Sequence, residues 1–547
     1  MICILHGYLL EGSGSNLWTR SIVESLCREG HNVHLMAQEN HPERYSFITE
    51  ARRYRGDEPA ETFYRADAEH PGCCVLHKPV LGDTLPVYVW DKYEEFPNVV
   101  PMVDLDDEAV EAYVDRNVRA LRRIVAENGI TAIHANHAVL MSVVAQRVSE
   151  ETGVPFAVMP HGSALEFAVK RDERFHRLAL GAFTSARRVF AIGGEMRDRV
   201  RGILGAVPDL EAKFSELHLG VDTSQFEPIA RSERPGNVAR LAEALAGMKR
   251  GRVPAQETEM LGRLRGDMTV DELRAVFADA QRYEGKTPDE GLEARLNAVD
   301  WASEPTLLFV GRLISSKGIQ SVVAALPLIL EKRPDLRVIV VGHGPLREVL
   351  EALLWALREG ERALVDLIVA HGRVLEGSPE GESEGEELTQ VALYLEQLRE
   401  RGELDAYYAA AQKHLRPETV LFTGYLTHRE LHHLFPCCDA AVFPSVVKEA
   451  GPLVFLEALA SGAFPLGTYF AGMKASIDSV AQALPAEDAE AMKLDAAPER
   501  TVADIVRHVP LALEMGERHK DALYRVARDH YDWRSVARKL FTELNAL

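Results

Sequence analysis

The chain has 547 residues, enough for two or more domains that each bury a core of their own. Its composition, 46% hydrophobic and 27% charged, is typical of a soluble globular protein. The formal net charge of −21 argues against nucleic acid or an anionic membrane as the main partner, although it leaves room for a local basic patch.

The cysteines and the apolar segments indicate in which cellular compartment the protein is expected. The six cysteines include two adjacent pairs and no CxxC spacing, which favours reduced thiols over a disulfide framework or a metal site. The first predicted strand begins at residue 2, so no signal peptide precedes it. No apolar run approaches the ~20 residues needed to span a bilayer. We therefore expect a cytoplasmic protein, with no indication of membrane association.

The chain opens with a predicted βαβ unit. The pattern predicts, in order, a strand at 2–5, a loop that contains Gly12 and Gly14, a helix, and a strand at 32–36. Because the loop lacks the third glycine of a dinucleotide fingerprint, a nicotinamide cofactor is weakly supported. A glycine loop in this place can equally let a substrate approach the backbone.

The following segment, 50–103, has an irregular pattern, with strand signals only at 74–76 and 87–89. After it, Asp104 and Asp106 form a DxD triplet, which in another class of transferase holds a metal with a nucleotide sugar. The alternative is the start of a long helix, where the positive end of the helix dipole favours acidic residues. We favour the helix start.

Histidines follow the next predicted strands. The strand signals lie at 130–134, 155–159, 189–192 and 217–219. The first two strands lead into loops with His134, His137 and His161. Ligands of open parallel sheets bind at the carboxyl ends of strands, so these loops face a crevice. A lone histidine is more often structural, but two such loops at matching strand ends leave both interpretations open.

Strand alternation restarts at 306–310, and the loop after this strand carries Arg312 and Lys317. Arginine offers a fixed fork for phosphate oxygens and lysine a mobile point charge, so the pair suits a diphosphate. Charge counting alone would favour an ordinary surface pair. The position at a strand end, beside a glycine-flanked loop, favours the binding interpretation.

Three histidines further along, His428, His432 and His433, lie on a predicted helix with an i,i+4 spacing that would suit zinc. Because no carboxylate or cysteine partner is evident, we favour a solvated helix face over a metal site.

The most informative stretch follows a predicted strand at 440–443. Gly451 is predicted as a helix N-cap and Pro452 as the first helical residue, where a missing N–H costs nothing. The helix then spans 453–460, and Gly462 ends it.

Glu449 and Glu457 bracket the mouth of this helix. Helix N-termini present free amides that attract anions or sugar hydroxyls. Two carboxylates beside such a seat suit a ligand that carries both phosphate and hydroxyl groups.

These elements predict an α/β protein with two doubly wound domains and two helical insertions. The expected segments are an N-terminal domain at 1–218, a linker at 219–230, a helical insertion at 231–302, a C-terminal domain at 303–530 with an insertion at about 360–416, and a C-terminal helix at 531–547 that can cross back to the N-terminal domain.

Taken together, the motifs resemble the retaining glycosyltransferases of family four, whose GT-B fold has two Rossmann-like domains facing across a cleft. The strongest match is the run from Glu449 to Glu457 with Ala458. The other matching pieces are Gly311-Arg312-Leu313 with Lys317-Gly318, Val341-Gly342-His343-Gly344-Pro345, Phe422-Thr423-Gly424-Tyr425, Asp439 to Ser445, Gly220-Val221-Asp222 with Phe226-Glu227-Pro228, His161-Gly162 and the N-terminal glycine loop.

The resemblance implies roles for charged residues. Arg312 and Lys317 would neutralise the donor diphosphate, and Glu457 would bind the ribose hydroxyls of the donor. Glu449 would contact the donor sugar. Since family members are thought to use the leaving phosphate to help deprotonate the acceptor, Glu449 need not act as a nucleophile.

The resemblance also implies backbone contacts. The amides of Leu453 and Val454, after the turn at Gly451, would approach the sugar or the diphosphate. His161 would lie against the transferred sugar, and Gly14 would border donor and acceptor. Many members have Phe-Gly where this chain has Gly451 and Pro452, which weakens the contacts carried over to this turn.

The expected function is therefore the retaining transfer of a hexose from a nucleotide diphosphate sugar to a hydroxyl acceptor, without metal or cofactor. The chain lacks the Lys-Thr-Gly-Gly loop of glycogen synthases, which argues against polymer elongation. The alternatives are a nucleotide-sugar epimerase of the same fold and a non-catalytic nucleotide-sugar-binding subunit. The acidic balance favours a soluble acceptor over a lipid, and an oligomer is compatible with the insertions.

Overall fold

The structure, a computed structural model, describes residues 1–11, 13–88, 96–377, 385–448 and 451–547. They divide into two units, unit 1 with Met1–Gly220 and His530–Leu547, and unit 2 with Val221–Asp529. The strands are β1 Ile2–Leu5, β2 Val33–Met36, β3 Ile48–Tyr54, β4 Glu61–Arg65, β5 Cys74–Pro79, β6 Thr84–Val87, β7 Asn98–Pro101, β8 Ala132–Asn136, β9 Phe156–Met159, β10 Arg188–Ala191, β11 Phe214–Glu216, β12 Thr306–Val310, β13 Arg337–Val341, β14 Val420–Gly424, β15 Ala440–Phe443, β16 Phe464–Thr468 and β17 Lys493–Leu494.

The helices alternate with these strands through both units. They are α1 Gly14–Arg28, α2 Asp107–Asn128, α3 Met141–Thr152, α4 Gly162–Ala164, α5 Glu173–Ser185, α6 Gly193–Leu204, α7 Leu210–Lys213, α8 Arg234–Ala244, α9 Pro254–Gly262, α10 Val270–Ala280, α11 Leu292–Asn297, α12 Ile319–Lys332, α13 Arg347–Glu359, α14 Arg362–Leu375, α15 Thr389–Glu400, α16 Leu404–His414, α17 His428–Leu434, α18 Leu453–Ala460, α19 Ala471–Ala481, α20 Ala486–Glu490, α21 Pro498–Val526 and α22 Trp533–Asn545.

Unit 1 is built on a sheet with the order β11-β10-β9-β8-β1-β2-β5-β3-β4. The pairs are parallel except for β3 with β4, and the central register places Ile2 opposite both Val33 and Ala132. Strand β1 is an unbroken apolar run that is fully buried, as expected for a parallel strand covered on both faces. The predicted opening βαβ unit is confirmed.

Two strand predictions in unit 1 are wrong. The strand at 74–76 is confirmed by β5, but the segment 50–103 is not otherwise irregular, because it also contributes β4, β6 and β7 together with most of β3. The strand expected at 217–219 lies three residues earlier, at Phe214–Glu216. In both places charged or polar side chains on half-exposed strands interrupt the apolar pattern from which a strand is predicted.

The C-terminal helix α22 belongs to unit 1, where it packs on α1. The Phe541 ring stacks on His31 at 3.9 Å between centroids, and Arg538 pairs with Glu29. Unit 1 therefore includes both ends of the described chain.

Unit 2 holds a parallel sheet with the order β14-β13-β12-β15-β16-β17. Its central strands β12 and β15 are apolar runs between glycine or proline loops, and β15 has the predicted bounds. Residues 231–302, all of them described, form helices α8 to α11 and no β-strand, which confirms the helical pattern predicted for this segment.

Buried ion pairs connect this helical segment to the sheet of unit 2. The Asp439 carboxylate, just before β15, accepts a hydrogen bond from Arg234 at 2.8 Å, and it also contacts Arg231. Its second oxygen accepts from the backbone N–H of Thr306 at 2.8 Å, at the start of β12. The carboxylate therefore joins the helical segment to two neighbouring strands.

A second buried network lies deeper in unit 2. Arg252 reaches Glu348 at 2.7 Å and Glu351 at 2.6 Å, while Arg347 reaches Asp289 at 2.7 Å and Glu351 at 3.0 Å. Buried charges are tolerated only when they are paired and hydrogen-bonded, and each of these has a partner.

Two further properties follow from the described residues. All six cysteines are free thiols. Within the described ranges, no helix combines the length and the apolar character that crossing a membrane requires.

Replacing Asp439 by Ala should destabilise unit 2, because it leaves Arg234 buried without a counter-charge and the Thr306 N–H without an acceptor. We expect a loss of about 3–5 kcal/mol in the free energy of unfolding, measured by urea denaturation. The control is Asp405→Ala, which removes an exposed ion pair with Arg362 and should cost less than ~1 kcal/mol. Equal losses in the two variants would contradict the structural role of Asp439.

Candidate functional site

Each of the two large sheets has a central point where the chain order of its strands reverses. In unit 1 this point lies between β1 and β8, and in unit 2 it lies between β12 and β15. The connections on either side of such a point leave in opposite directions, so a crevice opens outside the carboxyl ends of the two strands. Those predicted site residues that the structure describes lie at or beside these two points.

In unit 2, the loop after β12 carries Arg312, which is exposed, and Lys317, which is half-buried. Gly318 closes the loop with φ +76°, and a Cβ at this position would lie 1.8 Å from the carbonyl oxygen of Pro444. Only glycine allows this approach. The Val446 N–H donates to the Ser316 carbonyl at 3.0 Å, which fastens the loop to the chain that follows β15.

A small cavity opens beside this junction. Its volume is about 280 Å³, and its walls include Ser315 and Ser316 on the β12 side and Val446 and Val447 on the β15 side. The cation-bearing loop and the segment after β15 therefore border a common space.

The loop after β13 supports the cation-bearing loop from its other side. The Leu313 N–H donates to the His343 carbonyl at 2.9 Å, and a Cβ on Gly342 would lie 1.8 Å from the Gly311 carbonyl oxygen. Burial lowers the pKa of His343, and the neighbouring cations Lys286 and Arg312 lower it further. The carboxyl edge of this sheet therefore carries positive charge from Lys286 and Arg312, whereas the His343 imidazole is neutral.

Helix α18 begins beside the same crevice. Its N-cap is Pro452, with extended backbone at φ −87° and ψ 107°, so the prediction of Gly451 as N-cap and Pro452 as first helical residue is wrong by one position. Proline can occupy the cap because that position needs no helical hydrogen bond from its own nitrogen. The first amides of the helix are those of Leu453 and Val454, both half-buried.

Glu457 lies one turn into α18 and is 4% exposed. Its Oε1 contacts Nδ1 of His428, the first residue of α17. Its Oε2 is buried and has no hydrogen-bond partner in the described part of the chain. A buried carboxylate oxygen without a donor is costly, which marks it as a position for a ligand hydroxyl or amine.

The sequence patterns show no carboxylate partner for the three histidines of α17. The structure supplies one for His428, whose half-buried imidazole reaches the buried Glu457. The carboxylate lies 29 positions further along the chain, so no local spacing could reveal the pair. Among the described residues no group of three or more His, Cys, Asp or Glu side chains has the geometry to hold a metal ion.

In unit 1, polar side chains form a buried network at the ends of β1, β8 and β9. The Asn136 amide oxygen accepts from Nε2 of His134 at 3.2 Å and from Nε2 of His161 at 3.3 Å. The Asn136 amide nitrogen donates to Thr19 Oγ1 at 2.9 Å, and this hydroxyl lies 3.1 Å from Nδ1 of His6. The two predicted histidine loops therefore meet in one network.

Burial keeps these imidazoles neutral. It lowers the pKa of His6 and of His134 to about 4, and that of His161 to about 3. The His137 pKa is also far below its usual range because the ring is buried beside other histidines. The His137 ring is tilted against that of His161, with 4.7 Å between the ring centroids, and neither nitrogen of His137 has a partner in the described structure. Unit 1 thus offers neutral donors and acceptors at its crevice.

The remaining predicted residues are placed as follows. Gly14 is the first residue of α1, and a Cβ there would meet no described atom within 4 Å, so internal packing does not require glycine. Glu449, predicted to contact a donor sugar, lies outside the described residues. Asp106 caps α2 by accepting from the Ala109 N–H at 2.8 Å, which confirms the helix-start interpretation of the DxD triplet.

The sequence matches two family models. A glycosyl transferase 4-like domain matches residues 13–212, and the glycosyl transferases group 1 family matches residues 298–365 and 400–497. The helical segment of unit 2 falls between the matched ranges. No curated protein matches the chain significantly.

Solved structures show the same fold at low identity. Sucrose-phosphate synthase from Thermosynechococcus elongatus is similar with 15% identity, coverage of 100% of this chain and 99% of that one, and a TM-score of 0.52. A structure described as trehalose-6-phosphate from E. coli bound with UDP-2-fluoro glucose has 11% identity, coverage of 100% and 99%, and a TM-score of 0.51. HepE from Anabaena in complex with UDP-glucose has 12% identity, coverage of 100% and 99%, and a TM-score of 0.50. The fold is GT-B.

The neutral histidines of unit 1 should make its stability depend on pH. Because their folded-state pKa values lie below the unfolded value of about 6.5, the unfolded chain binds more protons between pH 6.5 and 4. The free energy of unfolding should therefore fall as the pH falls through this window, by up to ~1.4 kcal/mol per pH unit for each such histidine.

Urea denaturation of the parent and of His134→Gln at several values between pH 7 and 4.5 tests this dependence. The variant should show a shallower slope, since it has one fewer histidine to protonate on unfolding. The control is His530→Gln, at an exposed position of unit 1, which should keep the parent slope. An unchanged slope in His134→Gln would refute the assignment.

Proposed function

We propose a reaction from the premise that the chain belongs to the group 1 glycosyltransferases of GT-B fold. In this proposal the protein transfers a hexose from a nucleotide diphosphate sugar to a hydroxyl acceptor. The transfer retains the configuration at the anomeric carbon and needs no metal ion. The observation that carries the proposal is the half-satisfied Glu457 carboxylate beside the cation-bearing loop of the same sheet edge. We also propose a cytoplasmic location, in line with six free thiols.

The two sides of the unit 2 crevice match the two ends of such a donor. A diphosphate needs positive charge, which Arg312 and Lys317 supply on the loop after β12. A ribose needs hydrogen-bond acceptors for vicinal hydroxyls, and Glu457 offers a buried carboxylate for them. The distance between these groups is set by the neighbouring strands β12 and β15, which pair directly.

The same groups can assist bond cleavage. When the bond between the anomeric carbon and the phosphate oxygen breaks, negative charge develops on the diphosphate. The backbone that carries Arg312 and Lys317 is held by hydrogen bonds to the loop after β13 and to the chain that follows β15, and the first amides of α18 belong to a regular helix. Donors that are preorganised in this way stabilise a transition state more than a ground state. Because two side-chain cations supply the charge, the proposal needs no metal ion.

The nature of the donor draws support from structural neighbours. HepE is in complex with UDP-glucose, and the E. coli structure is bound with UDP-2-fluoro glucose. We therefore propose UDP-glucose as the first donor to test.

Unit 1 is proposed as the acceptor side. Its crevice contains imidazoles that burial keeps neutral, and neutral hydrogen-bonding groups suit the hydroxyls of an uncharged sugar or polyol. His161 is proposed to lie against the transferred hexose, and Gly14 to allow the substrate to approach the backbone. The proposed roles of Glu449 and Gly451, contact with the donor sugar and the turn before α18, complete the set.

The direct test incubates the protein with UDP-, ADP- and GDP-glucose and a panel of hydroxyl acceptors, and measures release of nucleoside diphosphate. NMR of the product reports the anomeric configuration, which should match that of the donor. Turnover should persist after treatment with a chelator. Donor binding without turnover across the panel would favour a non-catalytic binding subunit, and inversion of configuration would refute retention.

Replacing Lys317 by Ala should lower kcat/KM for the donor by about 10²-fold, the loss typical of one preorganised charge at a developing anion. The matched control is Lys332→Ala, at the exposed end of the helix that follows the same loop, which should behave like the parent. Steady-state kinetics with the fastest donor of the panel measures both. An unchanged kcat/KM in Lys317→Ala would remove this residue from the proposed site.

A further inference from the structure

We propose that His428 is a positioning residue that holds one oxygen of the Glu457 carboxylate and thereby presents the other to the ribose hydroxyls of the donor. This role rests on the proposed function and deepens it, because it assigns the nucleoside end of the donor to a pair of residues instead of one. It would make His428 a determinant of donor affinity without direct participation in bond cleavage.

The backbone of His428 is fixed before the side chain reaches its partner. Thr427 caps α17, accepting from the Arg429 N–H at 3.3 Å. Glu430 Oε2 in turn accepts from both the N–H and the hydroxyl of Thr427 at 2.7 Å. This reciprocal cap sets the direction of the first helical side chain, so the imidazole is aimed by the helix start and not by a flexible loop.

The contact with His428 reduces the free-energy cost of burying the Glu457 carboxylate. The carboxylate is 4% exposed, and a buried charge is costly unless a donor compensates it. An imidazole with its proton on Nδ1 donates to Oε1 and satisfies one of the four lone-pair positions of the carboxylate. Oε2 keeps its acceptor capacity, since no described residue donates to it. The pair therefore fixes the rotamer while it leaves one face of the carboxylate available.

The other histidines of α17 do not share this placement. His432 Nδ1 lies 3.3 Å from the His428 carbonyl oxygen within the helix, and its ring meets Phe226 edge-on at 6.5 Å between centroids. His432 therefore provides a matched control on the same helix.

The test uses four variants of the pair in the full chain, His428→Ala, His428→Asn, Glu457→Ala and the double variant His428→Ala/Glu457→Ala, and His432→Ala as the control. With the fastest nucleotide sugar of the panel, His428→Ala should raise the donor KM about tenfold or more, the loss expected for a hydrogen bond to a charged group, with kcat within about twofold of the parent. His428→Asn should restore most of the affinity, because its amide N–H can occupy the place of Nδ1. His432→Ala should match the parent.

The double variant distinguishes a positioning role, in which His428 acts through Glu457, from a direct contact between His428 and the donor. If His428 acts through Glu457, its removal should change nothing further once Glu457 is Ala, so the two losses should not add. Additive losses, or a donor KM in His428→Ala equal to that of the parent, would overturn the proposal.

Calorimetric binding of UDP, ADP and GDP keeps this test independent of turnover. If the parent turns over no donor but binds one of these nucleotides, and His428→Ala weakens that binding tenfold, the positioning role stands while the proposed reaction fails. If the parent binds none of the three, both the pair's role and the proposed donor site are overturned.

Discussion

The buried carboxylate of Asp439 fixes the register on which the candidate site depends. It lies between the amino ends of β12 and β15 and accepts from the Thr306 N–H, so it aligns the two strands at which the sheet order reverses. Because side chains and loops at the far ends of these strands inherit this alignment, a slip of one residue would move the cation-bearing loop away from the helix mouth. The site at one edge of the sheet is thus set by a charge at the opposite edge.

The two units carry groups of different charge at the points where their strand orders reverse. The reversal point of unit 1 is occupied by imidazoles that burial holds neutral, whereas that of unit 2 carries cations, amides and one buried carboxylate. A shared topology supplies the crevice in both cases, and the loops decide which chemistry it serves. This contrast is the physical basis for proposing the donor in unit 2 and the acceptor in unit 1.

Much of the fold could be predicted from sequence, and the exceptions have identifiable causes. Strands such as β1, β12 and β15 are continuous apolar runs between turn residues, which is a strong signal. The strand β4 is half to fully exposed and carries charges, so its pattern is hidden. The cap of α18 was displaced by one residue because proline tolerates both the cap and the first helical position. The cations and Glu457 were predictable from local motifs, but the partner of Glu457 was not, since tertiary structure brings it from a distant segment.

The buried ion pairs of the helical segment have a consequence for any attempt to shorten this chain. The helices α8 to α11 lie outside both matched sequence models, which would suggest a removable appendage. Yet Arg252 and Asp289 of the segment neutralise charges that belong to α13 in the body of unit 2. A chimera that exchanged this segment for a short linker would keep the ion pair between Arg347 and Glu351 but would leave Glu348 buried without Arg252. The segment is therefore part of the charge balance in the core of unit 2, and its removal would require a compensating change on α13.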